Sequence, residues 1–120
     1  MVYLLVGLTG AGKTTYARRV LEPAGVVALS ADEAGERLPG HLAAGRDVAL
    51  DLGLLRRADR DHWKLRVETL GGRWRLLYFP VSRAELLHRL PVPESEVDDL
   101  YTRLEEPVDE GEEVVQPGSY

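Results

Sequence analysis

The chain has 120 residues, no cysteine and a formal net charge of −5. This length predicts a single domain over residues 1–120 with a substantial hydrophobic core, and the lack of cysteine excludes disulfides and cysteine-ligated metal sites. The first apolar run is too short to cross a bilayer and lacks the features of a signal peptide. We therefore expect a cytoplasmic protein with no membrane partner.

Charge is distributed unevenly along the chain. Residues 1–93 contain 14 Lys and Arg against 10 Asp and Glu, whereas residues 94–120 contain 1 against 10. A mildly basic body suits the binding of a polyphosphate but lacks the basic stripe of a duplex-binding protein. The acidic end is more often a solvated helix face and tail than a functional feature.

The first element in chain order is an apolar run, Val2 to Val6, which predicts a buried strand of a parallel sheet. Residues 7–14, GLTGAGKT, follow it and fit the pattern G-x-x-x-x-G-K-[ST] at every specified position. A segment of good helix formers comes next and stops before Pro23. Glycines in such a loop let backbone N–H groups face phosphate oxygens, beside the positive end of the helix.

This loop predicts a nucleoside triphosphate site. Lys13 is expected to reach the β- and γ-phosphates, and the Thr14 hydroxyl to bind Mg²⁺. The alternative is a glycine-rich turn before an ordinary helix, but the complete order of strand, loop and helix favours the phosphate site. The residues expected to contact the nucleotide are Gly7, Thr9, Gly10, Ala11, Gly12, Lys13, Thr14 and Thr15.

Two aspartates follow the next two apolar runs. The run Val26 to Leu29 precedes Ser30, a predicted helix N-cap that forms a capping box with Glu33, and Asp32 lies in the first turn of that helix. A brief connection through Pro39-Gly40 leads to the run Val48 to Leu52, which carries Asp51 near its end. Because ligands of open parallel sheets gather at the carboxyl ends of strands, both aspartates are expected near the phosphates.

The remaining pattern alternates between helix and strand. The predicted elements are a helix over residues 56–70 that ends at Gly71-Gly72, a strand over 73–81, helices over 83–90 and 95–106, and an edge strand over 112–116. Five strands interleaved with helices predict a three-layer α/β/α sandwich with a mostly parallel five-stranded sheet.

The segments MVYLLVGLTGAGKTTYARR, LSADE, VALDLGLLRRADRD and EEPVDEGEEVV together resemble the AAA_33-type P-loop kinases. This family includes the polynucleotide 5′-kinase domain, chloramphenicol phosphotransferase and zeta-toxin-like kinases. The resemblance implies a P-loop NTPase fold of the nucleotide-kinase type with strand order 2-3-1-4-5, and a kinase that uses ATP and Mg²⁺.

The resemblance also implies roles for individual residues. Asp32 matches the general base that acts on the acceptor hydroxyl, and Asp51 matches the acidic residue that assists the metal. Arg89 is the best match for the lid arginine, with Arg83 in reserve. The implied catalytic set is thus Lys13, Asp32 and Arg89, and the implied metal ligands are Thr14 and Asp51.

Each assignment has a structural alternative. Asp32 is otherwise a first-turn carboxylate that complements the helix dipole, and Asp51 a strand-end cap. The pair Arg57 and Arg60 more often makes surface salt bridges on a helix than phosphate contacts. The three histidines are scattered, which argues against a zinc site, and Trp63 and Trp74 are typical of core or edge positions rather than base-stacking platforms.

The chain departs from the family at two places. Family members carry one or two more helices where this chain has only Pro39-Gly40 between Leu38 and His41, and an arginine-rich lid loop where it passes straight from Arg89-Leu90 to PVPESE. Two functions therefore stay open: a compact kinase that phosphorylates a hydroxyl of a small molecule or a nucleic-acid end, and a nucleotide-binding module or weak NTPase without an acceptor pocket. Apolar surface left open by the missing helices predicts a homodimer.

Overall fold

The computed structural model describes residues 1–116, so residues 117–120 of the expected domain and of the acidic end lie outside the described residues. Strands and helices alternate along the chain, as the pattern of apolar runs predicts. The strands are β1 Val2–Val6, β2 Val27–Leu29, β3 Val48–Asp51, β4 Trp74–Tyr78 and β5 Glu112–Val114. The helices are α1 Lys13–Tyr16, α2 Ala31–Ala43, α3 Arg57–Thr69, α4 Arg83–Arg89 and α5 Glu94–Arg103.

The five strands form one sheet in the order β2-β3-β1-β4-β5, and every pair is parallel. Val2 of β1 lies opposite Val48 of β3 on one side and Trp74 of β4 on the other. The predicted strand order is confirmed, and so is the edge strand at the end of the pattern. Because all strands run the same way, the residues that follow β1, β2 and β3 emerge at one edge of the sheet.

The central strand β1 is covered on both faces. Val2, Leu4 and Val6 pack in a buried cluster with Leu38 of α2 and with α3, whereas Leu5 packs on the opposite face with the first helical segment. Alternation of side chains along a strand explains how a continuous apolar run serves both faces. The sheet is therefore the middle layer of the predicted α/β/α P-loop NTPase fold.

The first helical segment changes its winding along its length. α1 continues into a π-helical stretch, Ala17–Leu21, and a 3₁₀ turn, Glu22–Ala24. The helical segment was predicted to stop before Pro23, but it continues through Pro23 in the 3₁₀ turn, where a proline in the first turn of a helix costs little. Gly25 ends the segment with φ of 89°, a conformation that glycine adopts without steric cost.

The expected connection at Pro39-Gly40 is wrong, because α2 continues through both residues to Ala43. An interior proline removes one helical hydrogen bond and opposes helix formation. Packing outweighs this cost: Leu38 is fully buried before Pro39, and Leu42 packs against the same cluster one turn later. The apolar stripe of the helix thus extends across the proline.

The ends of α2 and α3 follow the sequence signals. The Glu33 carboxylate accepts hydrogen bonds from the Ser30 backbone N–H at 3.4 Å and the Ser30 hydroxyl at 3.0 Å, within the predicted capping box. At the end of α3, the Gly71 and Gly72 N–H groups donate to the carbonyls of Glu68 and Val67. This is the Schellman pattern, and Gly71 supplies its left-handed residue with φ of 80°.

Arg60 is not on the surface, contrary to the expectation for the pair Arg57 and Arg60. Its side chain is fully buried and forms a two-pronged ion pair with Glu110, whereas Arg57 makes the expected exposed pair with Asp61. The burial follows from the return of the acidic end to the sheet, where β5 pairs with β4. Trp63 and Trp74 pack, partly buried, against the core, as predicted.

Candidate functional site

The phosphate loop, residues 7–14, lies between the end of β1 and the start of α1. Gly10 and Gly12 have φ of 86° and 99°, in the left-handed region that favours glycine. The motif's glycines thus turn the backbone tightly, as the sequence predicts. Gly7 is needed for a different reason: a Cβ there would lie 3.0 Å from the Phe79 carbonyl oxygen of the neighbouring chain segment.

Lys13 is the cation of this loop. Its Nζ donates a hydrogen bond to the Gly7 carbonyl oxygen at 2.5 Å and lies 3.8 Å from an Asp51 carboxylate oxygen. Burial lowers the pKa of Lys13, and the nearby Asp51 carboxylate opposes this effect. The ammonium group is therefore largely removed from water while its ion pair with Asp51 is long, so a bound anion would stabilise its charged form.

Asp51 lies at the end of β3, beside the first residues of α1. The Thr14 hydroxyl is 3.5 Å from the second oxygen of the Asp51 carboxylate. A hydroxyl and a carboxylate oxygen are ligands that suit Mg²⁺. The fold thus brings together the two predicted metal ligands from β3 and α1, next to Lys13.

These residues open onto a cleft of about 780 Å³, which we call the phosphate cleft. Sequence reasoning missed Arg19 among its lining residues, although Arg19 follows Thr15 by four positions in the same helical segment, a spacing that places both on one side. The lining consists of Thr9, Gly10, Gly12, Lys13, Thr14, Thr15, Arg19, Asp51, Leu52, Gly53 and Arg89.

α4 packs directly on the phosphate loop. A Cβ added to Gly10 would lie 3.2 Å from the side chains of both Leu86 and Leu90, which shows how closely the helix approaches. Arg89, at the end of α4, donates a hydrogen bond to the Gly10 carbonyl at 2.8 Å and lies 3.3 Å from Glu85. The predicted lid arginine is thus beside the phosphate cleft, exposed and held by the loop itself.

Arg83, the reserve candidate, has a different environment. It pairs with Glu94 at 2.6 Å and with Asp98 at 2.7 Å, and so ties α4 to α5. These carboxylates raise the pKa of Arg83, whose hydrogen bond in turn holds the pKa of Asp98 below its ordinary value. Arg83 is absent from the lining of the phosphate cleft.

Asp32 is exposed in the first turn of α2. Ser30 and Glu33 share the capping interaction, and within residues 1–116 no hydrogen bond or ion pair engages the Asp32 carboxylate. On either side of Asp32, Ser30 and Glu33 line a smaller cavity of about 270 Å³. Thr14 and Asp51 line both this cavity and the phosphate cleft, so the two spaces adjoin.

The site fits a magnesium–nucleotide complex in its donor set. The loop offers backbone N–H groups and one buried ammonium for phosphate oxygens, and Thr14 with Asp51 offers oxygen ligands. Within residues 1–116 there is no cluster of three or more His, Asp or Glu side chains placed to hold a metal ion alone.

No helix among the described residues is long and apolar enough to span a membrane.

Comparison with known proteins agrees with the geometry. The family model AAA_33, described as an AAA domain, matches residues 2–42, which contain β1, the phosphate loop, β2 and most of α2. Among curated protein sequences, none matches this chain.

Solved structures share the whole fold at low sequence identity. A gluconokinase from Sinorhizobium meliloti 1021 superposes with a TM-score of 0.73 and 19% identity, covering 99% of this chain and 83% of that one. The protein APE1195 gives 0.71 and 22%, covering 100% and 87%. Kti12 from Chaetomium thermophilum, solved in complex with ADP-AlF3, gives 0.62 and 15%, covering 98% and 90%.

At such low sequence identity, these superpositions establish the fold and nothing more. The family match covers the part of the chain that contains the phosphate loop. The predicted resemblance to the AAA_33-type P-loop kinases is therefore confirmed over residues 2–42, and the predicted α/β P-loop NTPase fold over the described chain.

Proposed function

We propose that the protein is an ATP-dependent kinase that transfers the γ-phosphate of ATP to a hydroxyl group of a small molecule or of a nucleic-acid end. The observation that carries this proposal is the pair of adjoining spaces that share Thr14 and Asp51. The larger is lined by the glycine-rich loop with Lys13 and Arg89, and the smaller lies beside the first turn of α2. Donor and acceptor would thus meet at the ends of β1, β2 and β3.

The proposal gives each side chain a role. Lys13 and the loop amides hold the phosphates, and Arg89 exchanges its bond to the Gly10 carbonyl for one to a phosphate oxygen. Asp32 accepts the proton of the acceptor hydroxyl while the bond from γ-phosphorus to ADP breaks and the bond to the acceptor oxygen forms. Positioning by these groups is sufficient in principle, because phosphoryl transfer passes through a loose transition state.

Thr14 and Asp51 are the residues that would hold Mg²⁺. When bound, this ion supplies positive charge that offsets the charge on the phosphate oxygens. Because the reaction consumes ATP, we place the protein in the cytoplasm.

A nucleotide-binding module or weak NTPase is the second candidate. It is favoured by the short link between α4, which ends at Arg89, and α5, which begins at Glu94. Closing loops exclude water and complete the charge clamp around a transferring phosphate. A chain that binds nucleotide without such a loop would hydrolyse it slowly and act by binding a partner.

Two measurements separate these candidates. Titration calorimetry with ATP and Mg²⁺ tests binding, and an ADP-release assay then compares the protein alone with the protein plus a panel of hydroxyl compounds. The panel begins with gluconate, because a gluconokinase is among the similar structures. Stimulation by an acceptor supports the kinase; binding with no stimulation by any acceptor supports the module; and absence of binding contradicts both.

We further propose that the protein forms a homodimer. Leu65 of α3 and Val108 are 64% and 62% exposed, and a partner chain would remove these apolar side chains from water. Light scattering at high protein concentration should give twice the mass of one chain. A strictly monomeric mass would contradict the proposal.

A further inference from the structure

Arg60 is the only buried arginine of the described residues. It forms hydrogen bonds to two segments that are far apart in the chain. Its Nε and Nη2 donate to the two Glu110 carboxylate oxygens at 2.8 and 2.9 Å. Its Nη1 donates to the carbonyls of Leu54 and Leu55 at 2.9 and 3.0 Å. Both partners are shielded from water, since the Arg60 and Glu110 side chains are 0% and 2% exposed.

The two carbonyls belong to residues 52–55, which we call the cleft loop. This loop connects Asp51 to the turn before α3, and Leu52 and Gly53 line the phosphate cleft. Its backbone needs outside support, because Leu54 has φ of 50°, in the left-handed region that a leucine rarely adopts. Arg60 supplies that support through the carbonyls of Leu54 and Leu55.

The cleft loop is also held at its other side. The Gly7 N–H of the phosphate loop donates to the Gly53 carbonyl at 3.4 Å, and the Glu105 N–H donates to the Leu55 carbonyl at 2.8 Å. The phosphate loop, the cleft loop and the returning chain before β5 are thus joined in series. Arg60 lies at the centre of this series, in contact with the cleft loop and with Glu110.

Glu110 is itself fixed in place. The Lys64 ammonium of α3 donates to the Glu110 carbonyl at 3.0 Å and lies 4.7 Å from the Trp74 ring centroid. A hydrogen bond from Arg60 holds the pKa of Glu110 below its ordinary value, so this carboxylate is ionised at neutral pH. The Glu110 carboxylate that holds Arg60 is therefore charged at the neutral pH at which nucleotide binding would be measured.

We infer that Arg60, held by Glu110, is a positioning residue that fixes the cleft loop and thereby Asp51 beside the phosphate loop. The consequence for Mg²⁺ and nucleotide binding depends on the proposed function, whereas the consequence for the cleft loop does not. A buried ion pair is weak evidence for a contribution to stability, because apolar replacements often serve equally well. The four hydrogen bonds of one guanidinium to two separate segments are what an apolar pair cannot reproduce.

The test compares two double variants. Arg60→Met with Glu110→Leu removes both fully buried charges together. Lys64, which lies 3.6 Å from the Glu110 carboxylate, keeps its hydrogen bond to the carbonyl of residue 110 and its ion pair with Asp61. Arg75→Met with Glu113→Leu is the matched control, since this pair is also two-pronged, at 2.8 and 2.6 Å, and also joins the body to the acidic end, but is exposed and does not touch the cleft loop.

Two quantities are measured on folded protein. The first is hydrogen exchange of the Gly7 and Glu105 amides without nucleotide, because these amides donate to the cleft loop. The second is the affinity for ATP with Mg²⁺. We expect the Arg60 and Glu110 variant to exchange both amides at least tenfold faster and to bind about tenfold more weakly, the usual scale for residues that orient metal ligands. The control should match the wild type in both.

If the double variant does not fold, a second variant provides the test. Arg60→Lys keeps the charge but replaces a planar fork by a single ammonium, which cannot bond Glu110 and both carbonyls together. Unchanged exchange in a folded variant overturns the inference, even if global stability falls. Faster exchange with unchanged affinity overturns its link to Asp51. A wild type that does not bind ATP contradicts the proposed function instead, and the exchange comparison still decides the role of Arg60.

Discussion

In the phosphate cleft, the Lys13 ammonium has a backbone carbonyl at 2.5 Å and a carboxylate oxygen only at 3.8 Å. At the acidic end, the Arg60 guanidinium has two carboxylate oxygens within 2.9 Å. Both cations are shielded from water, yet only the second has a carboxylate at hydrogen-bond distance. A buried cation without a close anion is suited to an anionic ligand, whereas one with a close anion is suited to hold structure.

The largest expected effect is at Asp32, on the phosphate-cleft side of this comparison, where a ligand is proposed to bind. Asp32→Asn keeps size and removes the basic group, so phosphate transfer should fall by roughly 10²–10⁴-fold, the usual contribution of a positioned general base. Nucleotide affinity should hardly change, because the proposed contact is with the acceptor. Initial rates and calorimetric titrations measure the two quantities.

Asp59→Asn is the matched control for Asp32, since Asp59 is also an exposed carboxylate in the first turn of a helix. It should leave transfer unchanged. Full activity in Asp32→Asn would remove the base assignment, and loss of ATP binding would assign the carboxylate to Mg²⁺ instead.

Lys13 gives the next largest effect. Lys13→Ala removes a charge-assisted contact worth roughly 1.5–3 kcal/mol, so ATP affinity should fall about ten- to a hundredfold. Thermal unfolding should be little affected, because the variant loses one hydrogen bond, to the Gly7 carbonyl, and a long ion pair, while it is also relieved of the cost of burying the ammonium. An unchanged affinity for ATP would show that the loop does not bind phosphate.

The two arginines of α4 sharpen the comparison within a single helix. Arg89 faces the phosphate cleft and Arg83 has two carboxylate partners. Arg89→Ala should lower kcat/KM about tenfold or more, by the loss of a charged phosphate contact. Arg83→Ala should leave kcat/KM near the wild-type value, and equal losses in both variants would mean that neither residue acts as the lid arginine.

The smallest expected effect is the pH dependence of stability that comes from the buried pair of Arg60 and Glu110. The pKa of Glu110 lies below its ordinary value of 4.5, chiefly because of the hydrogen bond from Arg60. A carboxyl group with a lowered pKa in the folded state stabilises the fold above its ordinary pKa, and this contribution is lost as the pH falls through the folded-state pKa. Below about pH 4.5 the free energy of unfolding should therefore fall.

The double variant Arg60→Met with Glu110→Leu is the control for this pH effect. Its free energy of unfolding, measured by denaturant titration, should fall less between pH 6 and pH 3 than that of the wild type, because the variant has no Glu110 carboxylate to protonate. Equal slopes would show that Glu110 does not contribute to acid unfolding.

The sequence predicts local features of this molecule better than distant ones. The phosphate loop, the Ser30 and Glu33 cap and the end of α3 at Gly71 depend on residues a few positions apart, and all were predictable. The continuation of α2 through Pro39 was not, because it depends on Leu38 and Leu42 packing against the sheet. Local rules apply where the partners are neighbours in the chain.

The same distinction applies to the candidate site. Because strand ends in a parallel sheet share one edge, the sequence predicts Asp51 and Asp32 beside Lys13 and Thr14. The structure brings Asp51 to Lys13 and Thr14, whereas Asp32 is not among the residues that line the phosphate cleft. The partner of Arg60 lies 50 positions away, and nothing near Arg60 in the sequence indicates it. Only the three-dimensional structure shows that Arg60 is buried whereas Arg57 is exposed.

That separation of 50 residues also has a consequence during synthesis. A ribosome adds roughly 5–20 residues per second, so Glu110 is made about 3–10 s after Arg60. Throughout this interval the guanidinium lacks its carboxylate, and burying it alone would be costly. We therefore expect α3 to dock late on the nascent chain, after most of the sheet has already been translated.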